Sequence, residues 1–451
     1  MPYTIPAAPA VSRPPSLLHR DLQDRLDALA RTHRVPGAQL ALATGTDVIA
    51  VHTGTADVTT GAPCAAGTAV PLGSLTKPFT AALVLLLADD GDLDLDEPAA
   101  GHLPELSGIP EVTIRHLLTH TGGLPTGPDS DTAATTTAAR YLAAVCTERD
   151  LLFAPGTDFS YSNAGYVAAG RLVETVTGMP WPEAAGALLL EPLGIRPAFV
   201  GEPSPARPVA AGHAVNTATG QARPARQNLA PLEAPAGALL ASALDLTAFG
   251  HALTGRSDLL PPAVVKEMRR PDPAARPGTL ADGWGPGLAL YQRDGRVWCG
   301  HDGNAQGTSC HLRVDPESGV VVAFTGNAGG ATALWRDLTE ELAGLTGVRV
   351  PAAVESADRG RPVAAPAGCA GTYRNGTTAY RIAPGPDGTP ALSVDGDLPL
   401  PLVCYADLSC DLRDPATGYL EPGGRFHRDP ATGRIDRVQI SGRTARRTDD
   451  G

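Results

Sequence analysis

The spacing of apolar residues predicts that the chain opens with a helix and a β-hairpin. Leucines recur at helical spacing between residues 17 and 32, and the run ends before a Val-Pro-Gly segment. Residues 38–44 and 47–52 are then two apolar stretches on either side of Gly45, which predicts two strands joined by a turn. A helix followed by a hairpin favours an α+β fold.

Helical patterns precede strand patterns in the rest of the first 350 residues. From about residue 68 to 260 the pattern is mostly helical, interrupted by proline and glycine. Four strand-like segments follow between residues 287 and 325, and Asp315-Pro-Glu-Ser-Gly319 has the composition of a hairpin turn. With a last helix predicted over residues 335–346, we expect the first and last strands to share one antiparallel sheet with helices packed on it.

The C-terminal part has a different pattern. Residues 351–368 are rich in proline, alanine and charge without periodicity, which predicts a linker. Short strands then alternate with turns such as those at residues 387–388 and 417–418, which predicts a small β-barrel or meander. A chain of 451 residues favours more than one core. The predicted organisation is an extended arm over residues 1–16, a main domain over 17–350, the linker and a β domain over 369–451.

Composition argues against several classes of partner. The formal net charge is −12 and only 4% of the residues are aromatic, so neither nucleic acid nor an anionic membrane surface is expected to bind. The N-terminus lacks the positive and apolar regions of a secretory signal, and the longest apolar run, residues 81–88, is too short to span a bilayer. We therefore expect a cytoplasmic protein.

The seven cysteines favour neither disulfides nor a zinc site. Their number is odd and no Cys-x-x-Cys spacing occurs. Buried or incidental thiols are the simplest interpretation. No motif implies a cofactor or a metal.

A single lysine is the most informative chemical feature. Of the 36 basic residues only Lys77 and Lys266 are lysines, and Lys77 stands three residues after Ser74 at the start of an apolar predicted helix. Arginine cannot lose a proton near neutral pH, whereas a buried lysine can. The lysine can then accept the proton of the Ser74 hydroxyl, so the Ser-x-x-Lys pair predicts a serine nucleophile for acyl transfer.

A second candidate element is Tyr161-Ser-Asn163. A phenol near a lysine can act alternately as acid and base, and Asn163 could bond both Lys77 and a substrate amide. The same spacing recurs in Tyr373-Arg-Asn375, so the motif alone does not decide which of the two pairs is functional.

A third element is His301-Asp-Gly303. An edge strand with a small residue beside the nucleophile lets substrate backbone pair with it. The N–H of Asn304, together with that of Ser74, would complete an oxyanion hole. Trp284 and Trp298 are near His301 in sequence, and one of them could line the acyl pocket.

His120-Thr-Gly122 is a rival for this third element. Its setting, however, is typical of a helix end rather than of a strand, so His301 is preferred. His116 and His120 are four residues apart, but without a glutamate between them a structural role is favoured over metal binding.

In this order the motifs resemble the serine β-lactamase and penicillin-binding-protein superfamily, in its class C-like branch, over about residues 17–347. The resemblance implies a β-lactamase/transpeptidase-like α+β domain with an antiparallel sheet, flanking helices and a helical subdomain. It also implies a role for each of the following residues: Ser74 as acylated nucleophile, Lys77 and Tyr161 as proton-transfer pair, Asn163 as polar anchor, and His301 in the place of the third-motif lysine. The segment Gly371-Thr-Tyr-Arg is similar to the start of a lipocalin-like domain.

The resemblance implies a function as well. Histidine at position 301 is usual in the esterases, D-aminopeptidases and acyltransferases of this branch, whereas β-lactamases usually carry lysine. The two-domain layout is similar to that of penicillin-binding-protein-type thioesterases, which release nonribosomal peptidyl thioesters ending in a D-residue as head-to-tail macrocycles. A D-stereoselective peptidase or esterase is the alternative, and a β-lactamase or a non-catalytic binding protein is a lesser one. We expect removal of residues 365–451 to impair substrate selection more than the reactivity of Ser74.

Overall fold

A computed structural model describes residues 15–448 apart from 46, 128–132, 204, 217, 355–358, 386–387 and 416–417. Most of the predicted N-terminal arm, part of the predicted linker and part of the two predicted turns therefore lie outside the described residues. The α-helices of the described chain are α1 (Pro15–Thr32), α2 (Lys77–Asp89), α3 (Ile114–Leu118), α4 (Ala138–Val145), α5 (Asn163–Thr177), α6 (Trp181–Ala185), α7 (Ala234–Gly237), α8 (Ala243–Leu253), α9 (Pro262–Met268) and α10 (Ala331–Thr346).

Short 3₁₀ segments and one π-helical turn join these helices. The 3₁₀ segments are Gly73–Thr76, Ala99–Gly101, Pro104–Leu106, Glu148–Asp150 and Pro231–Glu233, and the π-helical turn is Gly186–Leu190. The strands of the main domain are β1 (Gly37–Thr44), β2 (Asp47–Asp57), β3 (Ala62–Pro63), β4 (Val70–Pro71), β5 (Gly212–Val215), β6 (Ala222–Ala225), β7 (Leu240–Ala241), β8 (Gly283–Gly285), β9 (Leu288–Arg293), β10 (Arg296–Ala305), β11 (Thr308–Asp315) and β12 (Val320–Gly326).

The main domain is organised around one antiparallel sheet. Within the described residues it has eight strands in the order β3-β2-β1-β12-β11-β10-β9-β8. β1 pairs with β12 from Ala38↔Gly326 to Thr44↔Val320, so the first and last strands of the sheet lie side by side, as predicted. The predicted hairpin turn over residues 315–319 joins β11 to β12. The predicted α+β fold class is thus confirmed.

Helices cover both faces of this sheet. α1 and α10 pack on one face, around Phe324 and Trp335. α8 and the helical part of the domain cover the other face, where Phe79 of α2 stacks on Phe249 of α8 with ring centroids 3.9 Å apart. Because both faces are covered, β11 and β12 are buried along their whole length. α2 is buried on most sides, which places its first residue, Lys77, in the interior.

The C-terminal strands form a closed antiparallel barrel, which confirms the predicted small β-barrel. The barrel strands are β13 (Gly371–Asn375), β14 (Thr378–Pro384), β15 (Pro390–Val394), β16 (Leu400–Cys404), β17 (Ser409–Arg413), β18 (Leu420–Arg428), β19 (Ile435–Ile440) and β20 (Arg443–Thr448). β20 closes the barrel by pairing with β13. β17 and β20 were not predicted, because their residues are too polar to show an apolar alternation.

The remaining sequence predictions concern cysteines, membrane spans and domain boundaries. All seven cysteines are free and buried, which confirms the prediction of buried thiols. None of the helices in the described ranges is long and apolar enough to cross a membrane. The predicted domain boundaries stay predictions, although helix α1 begins at Pro15 and strand β13 at Gly371, close to two of them.

Candidate active site

Ser74 lies on the 3₁₀ turn that leads into α2, and this turn touches strand β10. Gly73 has a φ of 55°, and a Cβ atom there would stand 2.1 Å from the carbonyl oxygen of Asn304. A Cβ atom on Gly303 would stand 2.0 Å from the carbonyl oxygen of Leu72. Only glycine fits at both positions, because any side chain would force the turn and the strand apart. The expected small residue beside the nucleophile is therefore Gly303.

The side-chain nitrogen of Lys77 is held between Ser74 and helix α7. Its Nζ lies 3.0 Å from Ser74 Oγ and donates to the carbonyl oxygen of Ala236 at 2.9 Å. The Lys77 side chain is completely buried. Two threonines of the same turn and helix fix α7 nearby: Thr76 Oγ1 accepts from the N–H of Leu239, and Thr80 Oγ1 donates to the carbonyl oxygen of Pro235.

Burial changes the acid–base character of Lys77. It lowers the pKa of the ammonium well below 10.5, the positive charge of Arg443 lowers it further, and the carboxylate of Glu233 acts in the opposite direction. A neutral amine has a lone pair at 3.0 Å from the serine oxygen. This geometry allows the proton of Ser74 to move to Lys77, which is the chemistry that the Ser-x-x-Lys spacing predicted.

Tyr161 lies beside this pair, just before helix α5. The Lys77 nitrogen is 5.0 Å from the centre of the Tyr161 ring. The phenol oxygen is buried and has no hydrogen-bond partner of good geometry among the described residues. Burial raises the pKa of Tyr161, while the nearby Ser74 hydroxyl and the Arg443 guanidinium limit this rise. A neutral phenol at this place can donate a proton to a leaving group.

Asn163 lies at the site, but its side chain does not bond Lys77 as the sequence analysis expected. It is the first residue of α5, and its N–H donates to the carbonyl oxygen of Thr126 at 2.7 Å. Its side-chain oxygen is buried and has no hydrogen-bond partner in the described chain, so the expected bond to Lys77 is absent there. Lys77 Nζ instead bonds Ser74 Oγ and the carbonyl oxygen of Ala236. The amide of Asn163 thus remains suited to contact a substrate.

His301 lies within strand β10, whereas the apolar pattern of the sequence predicts that this strand ends at Cys299, before His301. β10 pairs with β9 only up to Gly300, so the part that carries His301 has a free edge facing the site. His301 Nδ1 is 2.5 Å from the carbonyl oxygen of Asp302 and must donate to it, since a carbonyl can only accept. Burial is the largest cause that lowers the pKa of His301 to about 4, and Lys77 acts in the same direction when it is protonated, so the ring is neutral. Its Nε2 is therefore a hydrogen-bond acceptor, buried and without a partner among the described residues.

The rival His120 belongs to the same site in a different position. Its Nδ1 accepts from the N–H of Ser162 at 3.0 Å, and its ring packs on Tyr161 with centroids 4.3 Å apart. Burial lowers its pKa well below 6.5, and Lys77 and His301 add to this effect. His120 is a buried support for Tyr161, with an unusual positive φ of 60°. His301, rather than His120, is thus the histidine that lies on a strand.

Asp302, the residue after His301, is held by the buried side chain of Arg313. Arg313 is fully buried and donates to both carboxylate oxygens of Asp302, at 2.6 and 3.1 Å. His311 also contacts that carboxylate at 2.7 Å. Arg313 further donates to the backbone oxygens of Pro351 and Ala352, just after the main domain. The sequence offered no signal for this network, because Asp302, His311 and Arg313 meet only through the pairing of β10 with β11.

The C-terminal barrel contributes Arg443, which the sequence analysis did not identify. Its guanidinium carbon lies 5.3 Å from the centre of the Tyr161 ring, and it lines a pocket together with Ser74, Trp284 and His301. Of the two tryptophans considered, Trp284 is the one that lines this pocket. Arg443 could not be found from sequence, because only the packing of the barrel on the main domain brings its last strand to the site.

Ser74 stands where this pocket meets a second, more polar one. The second pocket includes Asn163, Gln227, Asn228, Glu233 and Asn304. An acyl-transfer site needs room for two substrate groups, the acyl chain and the group that leaves or attacks. Two pockets that share one serine satisfy this need. No group of three or more histidine, cysteine or acidic residues that could hold a metal ion occurs among the described residues.

Comparisons with known proteins agree with this geometry. The Beta-lactamase family model matches residues 22–344. Penicillin-binding protein 4 of Amycolatopsis lactamdurans is 34% identical over 373 residues, which cover 79% of this chain and 97% of that protein. The crystal structure of SurE is similar with a TM-score of 0.85 and 36% identity, covering 96% of this chain and 99% of that one.

Two further solved structures contain amino acids or their amides. SurE has also been solved with D-Leu, and that structure has a TM-score of 0.83 at 35% identity over 96% of this chain and all of the other. The D-amino acid amidase of Ochrobactrum anthropi SV3, complexed with L-phenylalanine amide, has a TM-score of 0.61 at 26% identity and covers 73% of this chain and 97% of its own. The chain thus belongs to the beta-lactamase family and has the serine hydrolase-type fold that this family shares with penicillin-binding proteins.

Proposed function

We propose that the protein is a serine acyl-transfer enzyme that works through an acyl-Ser74 intermediate. The observation that carries the proposal is the buried, hydrogen-bonded pair of Lys77 and Ser74. In the first half-reaction Ser74 Oγ attacks the carbonyl carbon of the substrate, and its proton moves to Lys77 Nζ. The leaving group then departs with a proton supplied through Tyr161 or Lys77. The backbone N–H groups of Ser74 and Asn304 are proposed to bind the developing oxyanion.

More specifically, we propose a penicillin-binding-protein-type thioesterase. Its substrate would be a peptidyl thioester ending in a D-residue, held on a carrier protein or a pantetheine mimic, and its product a head-to-tail macrocycle. In the second half-reaction the amino terminus of the peptide attacks the acyl-Ser74 carbonyl. The amine loses a proton to the base pair, the C–O bond to serine breaks, and Ser74 recovers its proton.

The state of His301 suits a second nucleophile that donates a hydrogen bond. A neutral histidine whose Nδ1 donates to Asp302 presents an acceptor at Nε2. An amine N–H would satisfy this buried atom, and so would the O–H of water in the hydrolytic reaction. The likeness to SurE over both domains, including its structure with D-Leu, supports a substrate with a D-residue.

A D-stereoselective peptidase or esterase is the second candidate. The similarity to a D-amino acid amidase supports it, and the same acyl-enzyme would then be attacked by water. A β-lactamase is disfavoured because the neutral His301 lacks the positive charge that a lysine offers to a β-lactam carboxylate.

Product analysis separates the two candidates. A synthetic peptidyl thioester ending in a D-residue is incubated with the enzyme, beside its L-ended twin and a Ser74→Ala control, and the products are weighed by mass spectrometry. We expect a product that has lost the thiol without gaining water or keeping a free amine, formed from the D-ended substrate and absent with Ser74→Ala. A linear acid as the main product would support the peptidase. Turnover by Ser74→Ala would overturn the acyl-enzyme proposal.

Replacing Lys77 by arginine tests whether the lysine acts as a base. Arginine keeps the positive charge but cannot accept the serine proton near neutral pH. Loss of general-base catalysis costs on the order of 10²- to 10⁴-fold in rate, so we expect acylation of Ser74 by a thioester to slow by that factor. Lys266→Arg is the matched control, since Lys266 is the other lysine of the chain. Equal acylation rates in both variants would assign Lys77 a structural role only.

The burial of Lys77 also predicts how stability depends on pH. Its pKa is depressed in the folded protein, so between that depressed pKa and 10.5 the unfolded chain binds more protons there than the folded chain. Wild-type stability therefore gains with rising pH, up to the ordinary lysine pKa near 10.5, and a Lys77→Met variant lacks this gain. We expect the stability of Lys77→Met relative to wild type to fall between about pH 7 and pH 10 in thermal unfolding. A difference that is constant with pH would show that Lys77 is charged in the folded state.

A further inference from the structure

The barrel and the segment before helix α5 share a buried hydrogen-bond network. Residues 159–162 have no regular secondary structure, so their backbone groups need partners from elsewhere. Thr444 Oγ1 donates to the carbonyl oxygen of Phe159 at 2.8 Å, and the N–H of Tyr161 donates to the carbonyl oxygen of Gly442 at 2.9 Å. The barrel thus holds the backbone of the candidate catalytic tyrosine directly.

Asn375, at the end of strand β13, lies at the centre of this network. It is the asparagine of the second Tyr-x-Asn motif, and it is 1% exposed. Its Oδ1 accepts from the N–H of Thr126 at 2.7 Å. Its Nδ2 donates to the carbonyl oxygen of Thr444 at 2.8 Å and to Ser160 Oγ at 3.3 Å. One amide therefore joins the barrel to two separate segments of the main domain.

Both segments lead to the first Tyr-x-Asn motif. The carbonyl oxygen of Thr126 accepts from the N–H of Asn163 at 2.7 Å. Ser160 directly precedes Tyr161, and its Oγ also accepts from the N–H of Thr444 at 3.2 Å. Asn375 thus bonds Ser160, which precedes Tyr161 in the chain, and Thr126, which bonds the backbone of Asn163. His120, in the main domain, contacts the same segment: it accepts a hydrogen bond from the N–H of Ser162 and packs on the Tyr161 ring.

We propose that Asn375 is a positioning residue for acyl transfer, acting through Thr126 and Ser160 to hold Tyr161 and Asn163 against Ser74. This inference rests on the proposed function, because it concerns the geometry of the same reaction. The second Tyr-x-Asn motif therefore supports the first one. On this proposal, removal of residues 365–451 would also release the backbone of Tyr161, and so would affect the reactivity of Ser74 as well as substrate selection.

The test compares two buried hydrogen bonds of the same barrel. Asn375→Ala removes the amide that reaches the main domain. Tyr405→Phe is the matched control, because it removes the bond from the Tyr405 hydroxyl to Asp411 at 2.7 Å, which does not involve residues 158–163. For each variant the thermal midpoint is measured, and then kcat and KM with a peptidyl thioester well below that midpoint.

We expect both variants to unfold at lower temperature, but only Asn375→Ala to lose activity per folded molecule. Misplacement of a catalytic group by about 1 Å costs about 100-fold, so its kcat should fall on the order of 10- to 100-fold, with KM changed by less than about threefold. The kcat of Tyr405→Phe should stay within about twofold of wild type. A kcat of Asn375→Ala equal to that of Tyr405→Phe would overturn the proposal.

A second variant and a mass measurement complete the test. Should Asn375→Ala not yield folded protein, Ser160→Ala replaces it, because it removes the acceptor that Asn375 and Thr444 share beside Tyr161. An unchanged kcat in that variant would then count against the proposal. Intact mass after exposure to a small thioester separates this test from the proposed function. Wild type that is not acylated at Ser74 would refute acyl transfer itself, whatever the Asn375 variant does.

Discussion

The burial of the Lys77 side-chain nitrogen is the constraint on which the rest of the site depends. An ammonium far from water is costly unless it loses its proton, so the fold itself favours a neutral amine there. The carbonyl oxygen of Ala236 and the hydroxyl of Ser74 satisfy that amine. The same burial that makes the lysine a base works against stability at neutral pH, so reactivity is obtained at a cost to folding.

Elements of both domains surround this nitrogen. Helix α2 is enclosed by the sheet and by other helices, and the 3₁₀ turn before it touches β10 through two glycines, Gly73 and Gly303. The free edge of β10 brings a neutral His301 to the serine. The barrel closes the remaining side. Arg443 lies over the Tyr161 ring, and Asn375 accepts a hydrogen bond from the backbone N–H of Thr126. The active site is therefore built by both domains.

Much of this could be predicted from sequence, because the informative signals are local. The Ser74–Lys77 spacing, the helix around residues 17–32 and the hairpin turn at 315–319 depend on neighbours a few residues apart. The roles of Arg443 and Asn375 could not be predicted, since they arise from contacts across more than 200 positions of the chain. The expected bond between Asn163 and Lys77 is absent among the described residues, and Lys77 instead bonds the carbonyl oxygen of Ala236, which is distant in sequence.

The protonation state of Lys77 is the most direct measurement of this mechanism. With two lysines in the chain, a protein labelled with ¹⁵Nζ-lysine gives two side-chain nitrogen signals, and Lys77→Arg identifies the one from Lys77. A pH titration by nuclear magnetic resonance should show that this nitrogen is neutral at pH 7 and takes up a proton only below its depressed pKa. A Lys77 signal that stays that of an ammonium up to about pH 10 would contradict a lysine base and the acyl transfer built on it.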